Sequence, residues 1–369
     1  MNVNRRNFSR ASSITAIAIA ATIVLSSCAA NEAAPATSAP AAPSKLTGTL
    51  NGIGSSAQAN AENAWIAGFQ TSNPKVTVNY DSQGSGAGRT AFLAGSAAFA
   101  GSDAALKDTE LATQSPTCAA GTKPIDLPVY ISPIGVVYNL DGVKDLKLDA
   151  ATIAGIFKGT IKTWDDAAIK SQNSGAKLPS TAITVVHRSD DSGTTQNFTD
   201  YLATAATAAW GVPAAQTFPF KVGDAAKGNE GVVAAVKAAG NSVGYADESA
   251  AGGLDIAQLK VGSSYEKITA SGAAAVVAAS PVATGRAAND LAIKINRADT
   301  TKGAWPLALV SYLIVCQTYT DSAKAVLVKA FATYVASDAG QKAAAAQAKS
   351  APIATDLASK VAAAIATIK

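Results

Sequence analysis

Ile183-Thr184-Val185-Val186-His187-Arg188-Ser189-Asp190-Asp191-Ser192-Gly193-Thr194-Thr195-Gln196-Asn197-Phe198-Thr199-Asp200-Tyr201-Leu202 is the stretch that decides the fold. Residues 183–186 are β-branched and feed an arginine. A polar Asp-Asp-Ser-Gly-Thr-Thr turn follows. Phe198, Tyr201 and Leu202 then recur at a spacing that puts them on one face of a helix. Ser192 suits the N-cap, and the amides after it have no intrahelical acceptor. A helix start flanked by hydroxyls and an arginine is suited to a small oxyanion. The segment alone leaves open a free anion, a nucleotide phosphate or a substrate in reaction.

The same order of strand, turn and helix recurs on both sides. Residues 46–53 read as a strand ending in Gly54-Ser55-Ser56, and a helix carrying Trp65, Ile66 and Phe69 follows until Pro74. Val76, Val78 and Tyr80 alternate as a strand that runs into Gly84-Ser85-Gly86-Ala87-Gly88 and a helix with Phe92 and Leu93. Residues 99–102 form a short strand ending on Asp103. Further βα units are expected at residues 148–157 and 231–245, and a mostly helical tail at 322–368. Strands alternating with helices place the chain in the α/β class. Two long apolar runs, 129–139 and 305–315, bracket a complete α/β block. They suggest a chain that leaves one domain, builds another and returns.

At 369 residues the chain is long enough for two domains. Charged residues are 15% and aromatics 6%, a folded rather than a disordered composition. The net charge is +4, with Arg5, Arg6 and Arg10 inside the leader, and no basic stripe with interleaved aromatics marks a nucleic-acid surface. His187 is the one histidine, which excludes most histidine-based metal sites and leaves a Ser–His scheme a single base. No metal and no cofactor is expected.

The N-terminus reads as an export signal: Asn4-Arg5-Arg6-Asn7-Phe8, an apolar run at 14–25, then Leu25-Ser26-Ser27-Cys28. The run is too short for a spanning helix. Leu-Ser-Ser-Cys resembles a bacterial lipobox, which makes residues 1–28 a lipoprotein signal with lipidation at Cys28. The Arg-Arg pair fits twin-arginine export, and ordinary Sec export fits equally. Residues 29–44, rich in Ala, Pro, Ser and Thr, form a flexible linker. The folded part is therefore expected at the outer face of the cell membrane, tethered to it. Cys118 and Cys316 remain, and two thiols in an exported protein point to a disulfide, with two unpaired buried thiols as the alternative.

Gly54-Ser55-Ser56, Gly84-Ser85-Gly86, Ser192-Gly193-Thr194 and, more weakly, Gly228-Asn229-Glu230-Gly231 share one design. Glycine admits an anion close to the backbone and the hydroxyls add donors. In open α/β sheets ligands collect at the carboxyl ends of strands. The Gly84 turn lacks the spacing and the later acidic residue of a dinucleotide fingerprint, and no Walker lysine motif is present. Asp103 either caps the next helix or faces the anion. In the second case it would accept a hydrogen bond from an anion that carries a proton, hydrogen phosphate, and repel sulfate. Asp190 can orient Arg188 or simply form the turn. His187 points away from Arg188 across the strand and reads as structural.

The chain resembles the phosphate-binding protein of bacterial phosphate-specific ABC transporters along nearly the whole folded region. The most specific match is Arg188-Ser189-Asp190-Asp191-Ser192-Gly193-Thr194-Thr195 with Phe198-Thr199-Asp200-Tyr201-Leu202. Gly84-Ser85-Gly86-Ala87-Gly88, Phe99-Ala100-Gly101-Ser102-Asp103-Ala104, Lys162-Thr163-Trp164-Asp165-Asp166, Lys227-Gly228-Asn229-Glu230-Gly231, Gly244-Tyr245 and Ala304-Trp305-Pro306-Leu307 support it. The resemblance implies a two-lobed periplasmic-binding-protein fold of type II, with phosphate in the cleft. Lobe I would comprise residues 45–132 and 309–369, and lobe II residues 133–308, with the apolar runs as hinge crossings. Ser56, the Ala57 amide, Ser85, Arg188, Ser192, Gly193 and Thr194 would meet the phosphate oxygens. Asp103 would accept its proton, and Asp190 would pair with Arg188. Cys118 and Cys316 would both fall in lobe I near the crossings. Gly54-Ser55-Ser56-Ala57-Gln58 departs from the family's Ala-Thr-Phe-Pro turn, and Asp191 stands where some members have Gly.

The expected function is a lipid-anchored extracytoplasmic receptor that binds inorganic phosphate and delivers it to ABC permease subunits driven by a cytoplasmic ATPase. It would act as a monomer, without catalysis. A receptor for another tetrahedral oxyanion is one rival. A secreted phosphoester hydrolase with a serine nucleophile is the other, and it lacks a convincing base or metal set.

Overall fold

Alternating burial builds the first β–α units. In the strand Val76–Asp81 the side chains of Val76 and Val78 are buried while Thr77 and Asn79 face out. The preceding helix, Ala59–Ser72, buries Trp65 and Phe69 against Tyr130, Phe331 and Tyr334. These elements belong to a computed structural model that describes residues 45–369. The expected signal segment, Cys28 and the linker lie outside the described residues.

The main sheet has nine strands, and eight of them run in the order Val76–Asp81, Gly48–Gly54, Phe99–Ser102, Ala308–Cys316, Pro124–Asn139, Ser242–Asp247, Thr184–Arg188, Asp224–Ala226. Pairing is parallel within each flank. The strands at the middle, Ala308–Cys316 and Pro124–Asn139, are antiparallel to each other and to their outer neighbours. The two flanks with their helices are the lobes of a two-lobed binding-protein fold. Pro124–Asn139 serves both: up to Pro133 it pairs with Ala308–Cys316, and from Ile134 it pairs with Ser242–Asp247. Both central strands are buried along almost their whole length, as strands covered on two faces must be, so they read as continuous apolar runs rather than as alternation.

In the second lobe Phe157, Phe198, Trp210, Phe218 and Tyr245 pack ring against ring. His187 stacks on Phe218 with centroids 4.2 Å apart, and its Nδ1 lies 2.9 Å from the Arg188 carbonyl. It is a packing residue, and in the strand Thr184–Arg188 neighbouring side chains such as His187 and Arg188 point to opposite faces. In the first lobe Cys118 and Cys316 form a disulfide that joins the loop before one central strand to the end of the other.

Three features were not read from the sequence. A small sheet pairs Ser264–Glu266, Gln258–Val261 and Lys147–Leu148. The helix Ala270–Ala278 packs on the central strands. Residues 281–298 then run as a strap between the lobes. At one end Arg286 pairs with Asp126 and Asp290, and Leu291 N donates to the Asp126 carbonyl. At the other, Arg297 pairs with Asp200 and donates to the carbonyls of Pro306 and Ala308. No helix among the described residues is long and apolar enough to cross a membrane.

Candidate anion site

Four turns deliver their residues to one place. The strand Gly48–Gly54 ends in Ser55 and Ser56, and Phe99–Ser102 ends in Asp103. Ser85 opens the helix Ser85–Leu93 and Gly193 opens Gly193–Ala205. All lie at the carboxyl ends of strands, where first-turn amides point outward. Gly193 has to be glycine: a Cβ there would stand 2.5 Å from Ser85 Oγ and 2.7 Å from the Asp103 Cβ. Gly84, with φ +103°, makes the sharp entry into the Ser85 helix.

Asp103 is the centre, only 3% exposed. Its Oδ1 accepts from Ser55 Oγ at 2.5 Å and from Ser311 Oγ at 2.8 Å, and its Oδ2 accepts from Thr194 Oγ1 at 3.1 Å. Its amide donates to Ser85 Oγ at 3.1 Å, and its carbonyl accepts from Asn197 Nδ2 at 2.7 Å. Burial pushes its carboxyl above the usual range, opposed by the Ser55 and Ser311 hydroxyls, the Arg188 charge and the Thr194 hydroxyl.

Arg188 supplies the cation. Its Nε and Nη2 hold Asp190 at 2.8 and 2.5 Å, and its Nη1 donates to Thr194 Oγ1 at 3.2 Å. Burial works against charge on Asp190. The Arg188 bonds, the Arg188 charge and the Gly228 amide outweigh it and hold the Asp190 carboxyl below the ordinary value. The Arg188–Asp190 pair is therefore formally neutral. An anion held here would depend on aimed hydrogen-bond donors more than on net charge.

The remaining expected residues have defined places. Ser192 caps its helix by accepting from Thr195 N at 3.0 Å. Gly193 and Thr194 are the next two residues, so their amides face out of the helix start. Ser56 Oγ accepts from Asn229 N at 3.1 Å and from Asn229 Nδ2 at 3.0 Å. The Ala57 amide is engaged by Ser55 Oγ at 3.0 Å, a bond that an arriving anion would have to share or replace. Asp191 is half exposed, with Oδ2 3.9 Å from Arg89.

Several buried polar groups around the site were not singled out in the sequence. Ser311 interrupts an otherwise apolar strand, and that interruption was the available signal. Asn197 bridges the Asp103 and Gly193 carbonyls, and Arg297 donates to its Oδ1. Arg89 backs the site through Glu110, Ser102 and Gln216. A cavity of about 760 Å³ touches Asp103, but its lining, which takes in Asn197, Asp200, Arg286 and Arg297, does not include Ser56, Arg188 or Ser192. The candidate site is the group of converging turns, because the donors meet there. Among the described residues no group of three or more His, Cys, Asp or Glu side chains is arranged to hold a metal ion.

Comparison with known proteins bears on this geometry. The profile of the PBP superfamily domain matches residues 37–339. The phosphate-binding protein PstS 3 of Mycobacterium leprae is 38% identical over 292 residues, covering 77% of this chain and 77% of the relative. PstS2 of Mycobacterium bovis is 39% identical over 291 residues, covering 76% and 77%. Among solved structures, a high-affinity periplasmic phosphate-binding protein bound with phosphate superposes with a TM-score of 0.70 at 25% identity, covering 86% of this chain and 93% of that one.

Proposed function

The chain belongs to the PstS phosphate-binding protein family, and on that premise we propose that it is an extracytoplasmic receptor that binds inorganic phosphate and delivers it to an ABC transporter. The observation that carries the reading is Asp103. A buried carboxylate among anion donors would repel a fully ionised oxyanion, but it is a good acceptor for one that keeps a proton. Its position is fixed by Ser55, Ser311 and Thr194.

In this reading Arg188, Ser56, Ser85 and the helix start at Ser192, Gly193 and Thr194 donate to phosphate oxygens while Asp103 takes the phosphate proton. Asp190 orients Arg188 and takes no part in contact. The Ala57 amide joins only by giving up part of its bond to Ser55. We place lobe I at residues 45–132 and 309–369 and lobe II at 133–308. The change of partner along Pro124–Asn139 and the start of Ala308–Cys316 support these limits. Closure brings donors from both lobes onto one anion, a hinge motion about the two central strands. Lipidation at Cys28, a monomeric state and delivery to permease subunits with a cytoplasmic ATPase complete the proposal, and no step makes or breaks a covalent bond.

Isothermal calorimetry of the mature protein with phosphate and with sulfate tests it. Tight phosphate binding with sulfate at least about 100-fold weaker is expected, since burying two facing acceptors costs on the order of 3 kcal/mol. Equal affinities, or none for phosphate, would overturn it.

A further inference from the structure

Asn229 is the second residue of the helix Gly228–Ala238 and is fully buried. Its Oδ1 accepts from Asp247 N at 2.9 Å, which fixes which end of the amide is which. Its Nδ2 then faces two hydroxyls, Ser56 Oγ at 3.0 Å and Thr194 Oγ1 at 3.3 Å, and its own backbone amide also donates to Ser56 Oγ. A hydroxyl has two acceptor lone pairs and one proton. Ser56 accepts two N–H groups here, so what it has left to offer is its proton. Thr194 Oγ1 likewise accepts from Arg188 Nη1 and from Asn229 Nδ2, and its proton goes to Asp103 Oδ2.

Ser56 comes from the first lobe, and Asn229 and Thr194 from the second. The Ser56–Asn229 contact therefore forms only where the two lobes meet at the site. We propose that Asn229 is a positioning residue for phosphate: it touches no phosphate oxygen, but it commits the Ser56 hydroxyl to donate toward the anion, and it does so only on closure. The inference deepens the phosphate-receptor reading and rests on it. Fixing the proton in advance removes a competing hydroxyl orientation, so the donor needs no reorganisation when the anion arrives.

The test is a double-mutant cycle on the mature protein, with phosphate affinity measured by calorimetry and melting temperature measured alongside. Asn229→Ala and Ser56→Ala are each expected to weaken phosphate binding about 10-fold, the loss of one charge-assisted hydrogen bond. The double variant is expected to bind within about twofold of Ser56→Ala alone, because Asn229 acts through Ser56. Asn229→Asp keeps the shape and the acceptor for Asp247 N, so it serves if the alanine variant does not fold. It should lose at least the same factor, and adding Ser56→Ala to it should lose little more. Multiplying losses in the cycle, or single variants within twofold of wild type, would overturn the inference while leaving phosphate binding by the wild type intact. A wild-type protein that binds no phosphate would overturn the receptor reading and this step with it.

Discussion

Asp103 and Glu62 are two buried acids of the first lobe with opposite surroundings. Asp103 receives three hydroxyl hydrogen bonds and feels the Arg188 charge. Glu62, in the first turn of the helix Ala59–Ser72, has no hydrogen-bond partner for either carboxyl oxygen among the described residues, and Gln58 Nε2 one turn earlier lacks one too. Burial raises both: it alone pushes Glu62 up to about 8, whereas donors and charge oppose the rise at Asp103. Burial alone makes a carboxyl keep its proton. Only surrounding donors fix the carboxylate in space and turn it into an acceptor that can select a ligand. In the proposed function the first acid is the recognition element, and the second is a stability liability.

Removing the cation that separates the two environments should have the largest effect. Arg188→Ala leaves Asp190 buried without its partner and deletes donors at the site, so phosphate affinity should fall by about 1,000-fold or more in calorimetry. Retention of binding within tenfold would contradict the part given to Arg188. Next comes the close approach at Gly193. A methyl group there meets Ser85 Oγ and the Asp103 Cβ. Gly193→Ala should hold the turns apart and weaken phosphate roughly 10–100-fold, as strain of 1–3 kcal/mol would. Unchanged affinity would show that the turns need not approach this closely.

The smallest effect on binding is expected at Glu62, and there the readout is stability. Burial on folding pushes the Glu62 carboxyl up from its ordinary value of 4.5 to about 8, so the native state binds the extra proton. The stability so contributed is complete below about pH 4.5 and is lost as pH rises toward 8. Glu62→Gln should leave phosphate affinity within about twofold, change the melting temperature little at pH 5, and raise it by roughly 5 °C at pH 8. A melting temperature that falls at pH 8 would mean that the charged form has partners not seen here.

Much of this was legible in the sequence because local chemistry and tertiary role coincide. The strand, the Ser192 cap and the apolar face of its helix lie within one continuous stretch, and the structure keeps Arg188, Asp190, Ser192, Gly193 and Thr194 together. The two long apolar runs became the central strands, although the first begins at Pro124 rather than near Val129. What stayed hidden depends on contacts distant in sequence. Ser311 reaches Asp103 across 208 residues and Asn229 reaches Ser56 across 173. The strap at 281–298 has no strong periodicity, and its anchoring arginines take their meaning from carboxylates elsewhere in the chain. Glu62 looks like an ordinary first-turn acid of a helix until the packing around it is known.

The most direct test of the central claim is the ratio of phosphate to sulfate affinity in the wild type and in Asp103→Asn, measured side by side by calorimetry. Replacing the carboxylate by an amide keeps its size but puts a donor where two acceptors had faced each other. Phosphate binding should weaken roughly 10–100-fold and sulfate binding should strengthen, so that the ratio collapses toward one. A ratio that survives the substitution unchanged would contradict the assignment of Asp103 as the acceptor of the phosphate proton.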